Sequence, residues 1–392
     1  MMAAITAAQS GCDVTLIEKN EKLGKKMFIS GKGRCNFTND CEVEEFFANV
    51  VSNKKFLYGS LYSFTPYDTM RFFDENGLKF KTERGNRVFP LSDKSSDVIR
   101  TLENKLRSLK VAIRLNERVS SLIVFDGACH GVKTEFGEYR ADKVIIACGG
   151  VSYRLTGACG DGYKLAQSVG HVVVQPVPAL APIDTVYGYR RLAGLSLKNV
   201  VFKVLCNGKP IFEEFGEMLF THEGVSGPIV LSASSKINRY PIESLSAFID
   251  FKPALDKQQL DKRILRDFTE NPSKQVRNSF DKLLPLRMID EFLNKLSIDK
   301  YKSVSELSRE ERLKIVDIMK DFPLDKLKFS SIDKAIVTAG GVNVKEVDPS
   351  TMQSKLCKNL YFAGEVLDVD ALTGGFNIQI AFSTGVAAGK VN

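Results

Sequence analysis

Apolar residues recur along the chain with two periods, and each stretch predicts an element. Met1 to Ser10 is a run of small and apolar residues that predicts a helix, with Gly11 as its stop. Val14-Thr15-Leu16-Ile17 is a short apolar strand closed by Glu18. Val144 to Ala147 and Leu360 to Ala363 have the unbroken apolar character of strands buried on both faces, and each runs into glycine. A helix closed by Gly170 follows the turn glycines Gly157, Gly160 and Gly162, and a second helix of small residues spans Asn377 to Ala388. Between these parts, Val200 to Leu205 and Pro210 to Phe212 flank Asn207-Gly208, a strong hairpin signal. Glu217 to Ser232 reads as a glycine-rich turn entering an apolar helix. Leu255 to Leu327 is highly charged, with apolar residues at helical spacing. A strand at Ala335 to Thr338 precedes Gly340-Gly341.

Helix, glycine, strand and terminal acid form the second half of a dinucleotide-binding βαβ unit, in which the acid binds a ribose hydroxyl. The glycine loop of such a unit lies about 20 residues before the acid, which from Glu18 runs off the front of the chain. On this reading the first strand and GxGxxG loop are absent, Met1 is an internal methionine, and the protein begins about 10–15 residues upstream. The expected layout is a cofactor domain over 1–175, an insert over 176–334 (β-rich to 252, helical over 253–328), and a return to the cofactor domain over 335–392. The length of 392 residues suits such a division.

Composition narrows the function. The net charge of +8 is mild and spread out; it favours an anionic ligand such as a dinucleotide over a nucleic-acid footprint. No apolar run reaches membrane-spanning length and no signal peptide opens the chain. Eight cysteines are scattered without a CxxC pair and three histidines stand apart, which argues against a metal site or disulfide framework and fits the cytoplasm.

Two segments invite cofactor chemistry. Leu23 to Asn39 is dense in Gly, Lys, Ser and Asn, so backbone at Gly31 and Gly33 can approach an anion while Lys25, Lys26, Lys32 and Arg34 add charge; a basic surface loop is the plainer alternative. Gly364-Glu365 ends a strand, and Thr373-Gly374-Gly375 opens a helix whose N-terminus can face an electron-rich carbonyl. No second dinucleotide fingerprint is present, so NAD(P)H would act as a diffusible reductant without a dedicated domain.

SGKGRCNFTN, THEGVSGP, TAGGVNV and YFAGEVLDVDALTGGFNIQIAFSTG together resemble the bacterial YhiN-like flavoproteins, also described as aminoacetone-oxidase-like FAD-binding enzymes and including BaiN-type bile-acid reductases. The resemblance implies an α/β Rossmann-type FAD-binding domain of the glutathione-reductase class, interrupted by a β-rich insert with a small helical piece. It implies that Glu18 and Lys19 lie at the adenosine ribose, and that Lys25, Lys26, Gly31, Gly33, Arg34, Cys35 and Asn36 line the diphosphate and flavin. Val119 would meet adenine through its backbone, and Cys148, Gly149 and Gly150 would pass near the cofactor. Gly364, Glu365, Gly375, Phe376, Asn377 and Ile378 would hold the ribitol and flavin ring. The chain departs from the family at its absent glycine loop, at Arg154 where proline is usual, and at Ala158-Cys159 where serine-threonine is usual.

The flavin would carry the electrons, so no catalytic triad is needed. Tyr153 and His222 are candidates for proton work, and Arg154 for holding an anion; each also reads as an ordinary structural residue. The expected activity is FAD-dependent oxidation of an amine or amino-ketone, or reduction of an enone, on a small organic substrate. The alternatives are a flavin-dependent protein that modifies RNA and a non-catalytic remnant.

Overall fold

The computed structural model describes residues 1–390, which fall into two compact units: 1–179 with the chain from 331 onward, and 180–330.

The first unit is built on short parallel strands. Thr15–Ile17 pairs with Ala112–Arg114, and Val144–Ile146 pairs with Leu360–Phe362; these two pairs are not hydrogen-bonded to each other. Helices Met2–Gln9 and Phe376–Gly389 pack at very short range. A Cβ on Gly389 would lie 2.5 Å from the Ala3 carbonyl oxygen, and one on Gly385 would lie 3.3 Å from the Ala3 nitrogen. Their runs of Ala, Gly, Ser and Thr therefore serve close approach rather than amphipathicity. Gly11 stops the first helix at φ 87, and Cys12 N–H reaches back to the Ala7 carbonyl. Helix Ser95–Ser108 turns Val98, Leu102 and Leu106 into the same core as Ile5, Phe37 and Phe382. Three small antiparallel sheets complete the unit: Thr38–Asn39, Arg87–Pro90 and Phe80–Glu83; the meander Val119–Phe125, Ala128–Thr134 and Gly137–Arg140; and the pair Val173–Ala179 with Val337–Val342.

Several expected details differ. Gly340 and Gly341 lie inside strand Val337–Val342, not after it, because the close neighbouring backbone at Val174, Gln175 and Val366 leaves no room for a side chain. Gly162 belongs to helix Asp161–Gln167 rather than a turn; a Cβ there would lie 2.9 Å from Val366 and 3.1 Å from Ile146. The Leu23 to Asn39 segment contains a short helix, Lys25–Ile29, rather than being loop throughout.

In the second unit a seven-stranded sheet carries the hairpin Ser196–Cys206 and Lys209–Phe220, turned by Asn207 (φ 48) and Gly208 (φ 78). Glu217 to Phe220, expected in a turn, finishes that second strand. Helices Pro228–Ile237, Lys257–Thr269, Leu286–Leu296 and Arg309–Lys320 share one core with the sheet. Phe202, Phe220, Phe251, Phe280, Phe292 and Phe322 all belong to it. The change in composition near 253 thus marks charged outer faces, not a separate core.

A buried triad ties the first unit together. His171 Nε2 lies 2.7 Å from Ser354 Oγ and Nδ1 lies 3.1 Å from Glu346 Oε2. Ser354 Oγ already accepts the Leu356 and Cys357 N–H groups, so its proton goes to Nε2 and the imidazole is neutral. Burial holds its pKa below the ordinary value of 6.5, against the opposing pull of Glu346. The unfolded chain therefore takes up this proton first as pH falls. The stability contributed by neutral His171 is complete above 6.5 and declines below it. Urea unfolding at about pH 8 and about pH 5.5 will show this decline, and His171→Gln will reduce it.

Candidate functional site

Glu18 follows its strand as expected, and its carboxylate is already engaged. Oε1 accepts the Asn20 backbone N–H at 2.9 Å and the Asn20 side-chain amide at 2.7 Å. Asn20 also donates to the Thr156 carbonyl at 3.1 Å. Lys19 donates to Cys159 Sγ at 2.7 Å and to Asp161 Oδ2 at 2.8 Å, and Arg118 also pairs with Asp161. Burial alone would raise the Asp161 carboxyl, but Arg118 and Lys19 overcome it and hold the pKa down to about 2. These bonds join 18–20, Arg118 and 156–161 into one rim. Val119 starts the adjacent strand, with its ladder partner at Thr134.

A second cluster includes the buried Ser152 and Thr338. Lys26 Nζ donates to Glu365 Oε1 and Oε2 at 2.7 and 2.6 Å and to Ser152 Oγ at 2.7 Å. Glu365 Oε1 also accepts the Thr338 N–H at 2.9 Å. Thr338 Oγ1 in turn accepts the Val151 and Ser152 N–H groups at 3.0 and 3.1 Å. Gly150 sits against this hub: a Cβ there would lie 2.5 Å from Thr338 Oγ1 and 3.0 Å from Glu365 Oε1. Lys26, Gly150, Gly364 and Glu365 are thus brought together, with Cys148 and Gly149 on the approach to them after Val144–Ile146. Ser152 and Thr338 were not foreseen. TAGGV was visible as a motif, but nothing in one sequence says that its threonine caps two distant backbone amides.

The third part is the segment from Ser30 to Asn36 facing the N-terminus of helix Phe376–Gly389. Gly31, Lys32, Gly33 and Cys35 have φ of 56, 59, 83 and 59. Cys35 is fully buried, and burial pushes its thiol up to about 12, which makes it a packing residue. Asn36 Oδ1 is buried with no hydrogen-bond partner. Gly375 caps the helix at φ 97 with no side-chain cap; a Cβ there would lie 2.3 Å from the Thr38 carbonyl oxygen and 3.0 Å from Asn36 Oδ1.

Several candidate side chains have partners within the protein. Asn377 spends its amide on its own loop, accepting from Ala371 N–H at 2.9 Å and donating to the Ala371 carbonyl at 2.7 Å. Phe376 packs edge-on against Phe46, and Ile378 is a partly buried core residue. Arg34 pairs with Glu83 and Asp93, and Lys25 with Glu21. Arg154 pairs with Asp333 at 3.3 Å on the surface. Tyr153 holds a left-handed φ of 53 directly after the Thr338-anchored amides. His222 is exposed and belongs to the other unit. Among the described residues no group of three or more His, Cys, Asp or Glu could hold a metal, and no helix is long and apolar enough to cross a membrane.

The family profile described as HI0933-like protein Rossmann domain matches residues 1–391. The chain is 33% identical over 404 residues to the 3-dehydro-bile acid delta(4,6)-reductase of Clostridium scindens, covering 100% of this chain and 95% of that protein. It is 28% identical over 394 residues to the ribosomal RNA dihydrouridine synthase of Haemophilus influenzae, covering 99% and 94%. Its fold is similar to that of the 3-ketosteroid-delta4-(5alpha)-dehydrogenase of Rhodococcus jostii RHA1, with a TM-score of 0.51 at 14% identity over 99% of this chain and 92% of that one.

Thr338→Val removes the acceptor for two amides while keeping the side-chain shape. We expect it to lower unfolding stability by about 2 kcal/mol and Thr338→Ser to retain most of it, as read by chemical denaturation.

Proposed function

Because the chain belongs to the HI0933-like Rossmann-domain family, we propose that it is an FAD-dependent oxidoreductase that reduces a carbon–carbon double bond conjugated to a carbonyl in a small organic substrate. The observation that carries this reading is the 33% identity, over the whole chain, to a reductase of 3-dehydro-bile acids. The residues present fit FAD. An orphaned buried amide oxygen at Asn36 faces an uncapped helix start. At Gly150 and Gly375 any side chain would collide with neighbouring protein atoms, so the backbone packs tightly beside Glu365 and Asn36. A strand-end acid stands at Glu18 beside a rim of paired charges.

FAD, when bound, supplies a hydride carrier. Glu18 would hold the adenosine ribose, with Lys19 and Asp161 keeping the rim closed around it. Glu365, oriented by Lys26 and the Thr338 N–H, would accept from ribitol hydroxyls. The amides opening helix Phe376–Gly389 would stabilise negative charge on the ring, and Asn36 Oδ1 would accept a ring N–H. The proton that balances hydride addition comes from solvent or a side chain such as Tyr153. NAD(P)H is the proposed diffusible donor.

The relationship to ribosomal RNA dihydrouridine synthases favours a second reading. Uracil also carries a double bond conjugated to a carbonyl, so the same hydride chemistry would serve on RNA. This weakens the argument from charge against a nucleic-acid partner.

The full chain purified without added cofactor should show flavin absorbance near roughly 375 and 450 nm, and Asn36→Leu should raise the FAD Kd about tenfold. Under anaerobic conditions, reduced flavin should be reoxidised by a steroid dienone. Reoxidation by uridine-containing RNA alone would favour the second reading, and absence of flavin would sink both.

A further inference from the structure

Arg34 carries a charge that the family resemblance directs to the cofactor, yet its guanidinium is committed elsewhere. Nε donates to Asp93 Oδ1 at 2.8 Å, and the terminal nitrogens face the Glu83 carboxylate and Asp93. The guanidinium carbon lies 4.0 Å from the centroid of the Phe89 ring. Lys81 completes the cluster, 2.6 Å from Asp93 Oδ2. Both acids are engaged by Arg34 and Lys81, with Arg87 also acting on Glu83, so the Arg34 guanidinium is held within the hairpin. Lone surface pairs contribute little, but a forked arginine held by two acids and stacked on a ring is a more rigid arrangement.

The loop carrying Arg34 needs such a brace. Lys32 and Cys35 both have a left-handed backbone, a conformation that costs a residue with a Cβ about 1–2 kcal/mol. Within the loop, Arg34 N–H reaches the Gly31 carbonyl at 3.3 Å and Cys35 N–H reaches Ser30 at 3.1 Å. Phe37 N–H then bonds the Val88 carbonyl at 3.1 Å, in the strand that also carries Phe89. The Phe89 ring also lies beside the start of the loop, since a Cβ built on Gly31 would lie 3.5 Å from it. Strand Arg87–Pro90 thus holds the loop from both sides, and the loop ends on Asn36, the residue with the orphaned buried oxygen.

We propose that Arg34 is a positioning residue: clamped by Glu83, Asp93 and Phe89, it keeps Gly31, Lys32, Gly33 and Cys35 in their left-handed conformation and so aims the Asn36 carboxamide at FAD without itself binding the diphosphate. This rests on the flavin reading above. It assigns a role to Glu83, Asp93 and Phe89, which lie on the hairpin outside the glycine-rich motif and just after it.

The sign of one variant separates a clamp from a phosphate ligand. Glu83→Gln with Asp93→Asn frees Arg34. A clamp predicts looser loop amides and weaker FAD binding; a phosphate ligand predicts tighter or unchanged binding. On the full chain, we expect this double variant and Arg34→Ala each to speed hydrogen exchange at 31–36 about tenfold and to raise the FAD Kd about tenfold. Exchange in helix Ser95–Ser108 should be unchanged, which a general loss of stability would not allow. Combining all three changes should add nothing to Arg34→Ala, and Arg34→Lys, lacking the fork, should not rescue it. Wild-type exchange at 31–36 in the double variant, or tighter FAD binding by it, overturns the proposal. If Arg34→Ala fails to fold, the milder double variant decides. Failure of every form, wild type included, to bind FAD would defeat the flavin reading and the positioning role with it, whereas FAD binding that ignores the loop's exchange defeats the positioning role alone.

Discussion

The Glu365 carboxylate organises the first unit. It is the common acceptor for an ammonium from Lys26 and a backbone amide from Thr338, with Ser152 Oγ alongside. Those partners come from three separate segments of the chain. A half-buried carboxylate is tolerated only when its charge is met and its lone pairs are filled, so the ion pair and the hydrogen bonds support one another. Gly150 can lie against this oxygen only because it has no side chain. The exit from Val144–Ile146, the start of helix Lys25–Ile29 and the end of Leu360–Phe362 are therefore placed by the same few atoms.

Around this hub, close backbone approach replaces side-chain volume. The two helices of small residues touch main chain to main chain at Gly389 and Ala3, and Gly340 and Gly341 let a strand pass against its neighbours. Such contacts exclude even a methyl group, which makes them rigid and ties them to glycine. The second unit is stabilised differently, by phenylalanines from sheet and helices sharing one core. Rigidity is thus concentrated where a cofactor would have to be held to within a fraction of an ångström.

Charge follows the same division between holding and binding. Lys19, Arg118 and Asp161 close one rim, and Arg34, Lys81, Glu83 and Asp93 close another. Most basic residues that a motif would assign to phosphate are therefore spoken for by acids. What remains open for a ligand is mainly neutral and directional: amides, one orphaned carboxamide oxygen and a helix start. That suits a cofactor whose orientation matters as much as its affinity.

Much of this was legible in the chain. A strand ending in Glu18, a strand ending in Gly364-Glu365 and a helix opening behind Gly374-Gly375 are local signals, set by apolar period and by the conformations only glycine readily adopts. The Asn207-Gly208 turn was legible for the same reason. Partner choice was not. Whether Arg34 meets a phosphate or Glu83, and whether Thr338 caps Val151 and Ser152, depend on contacts between residues tens to hundreds of positions apart. The sequence by itself determined most of the elements, several of their glycine boundaries and the family. Only the tertiary structure decided which polar groups satisfy one another and which are left to bind, because a hydrogen bond is set by distance and angle in space, and neither is encoded by spacing along the chain.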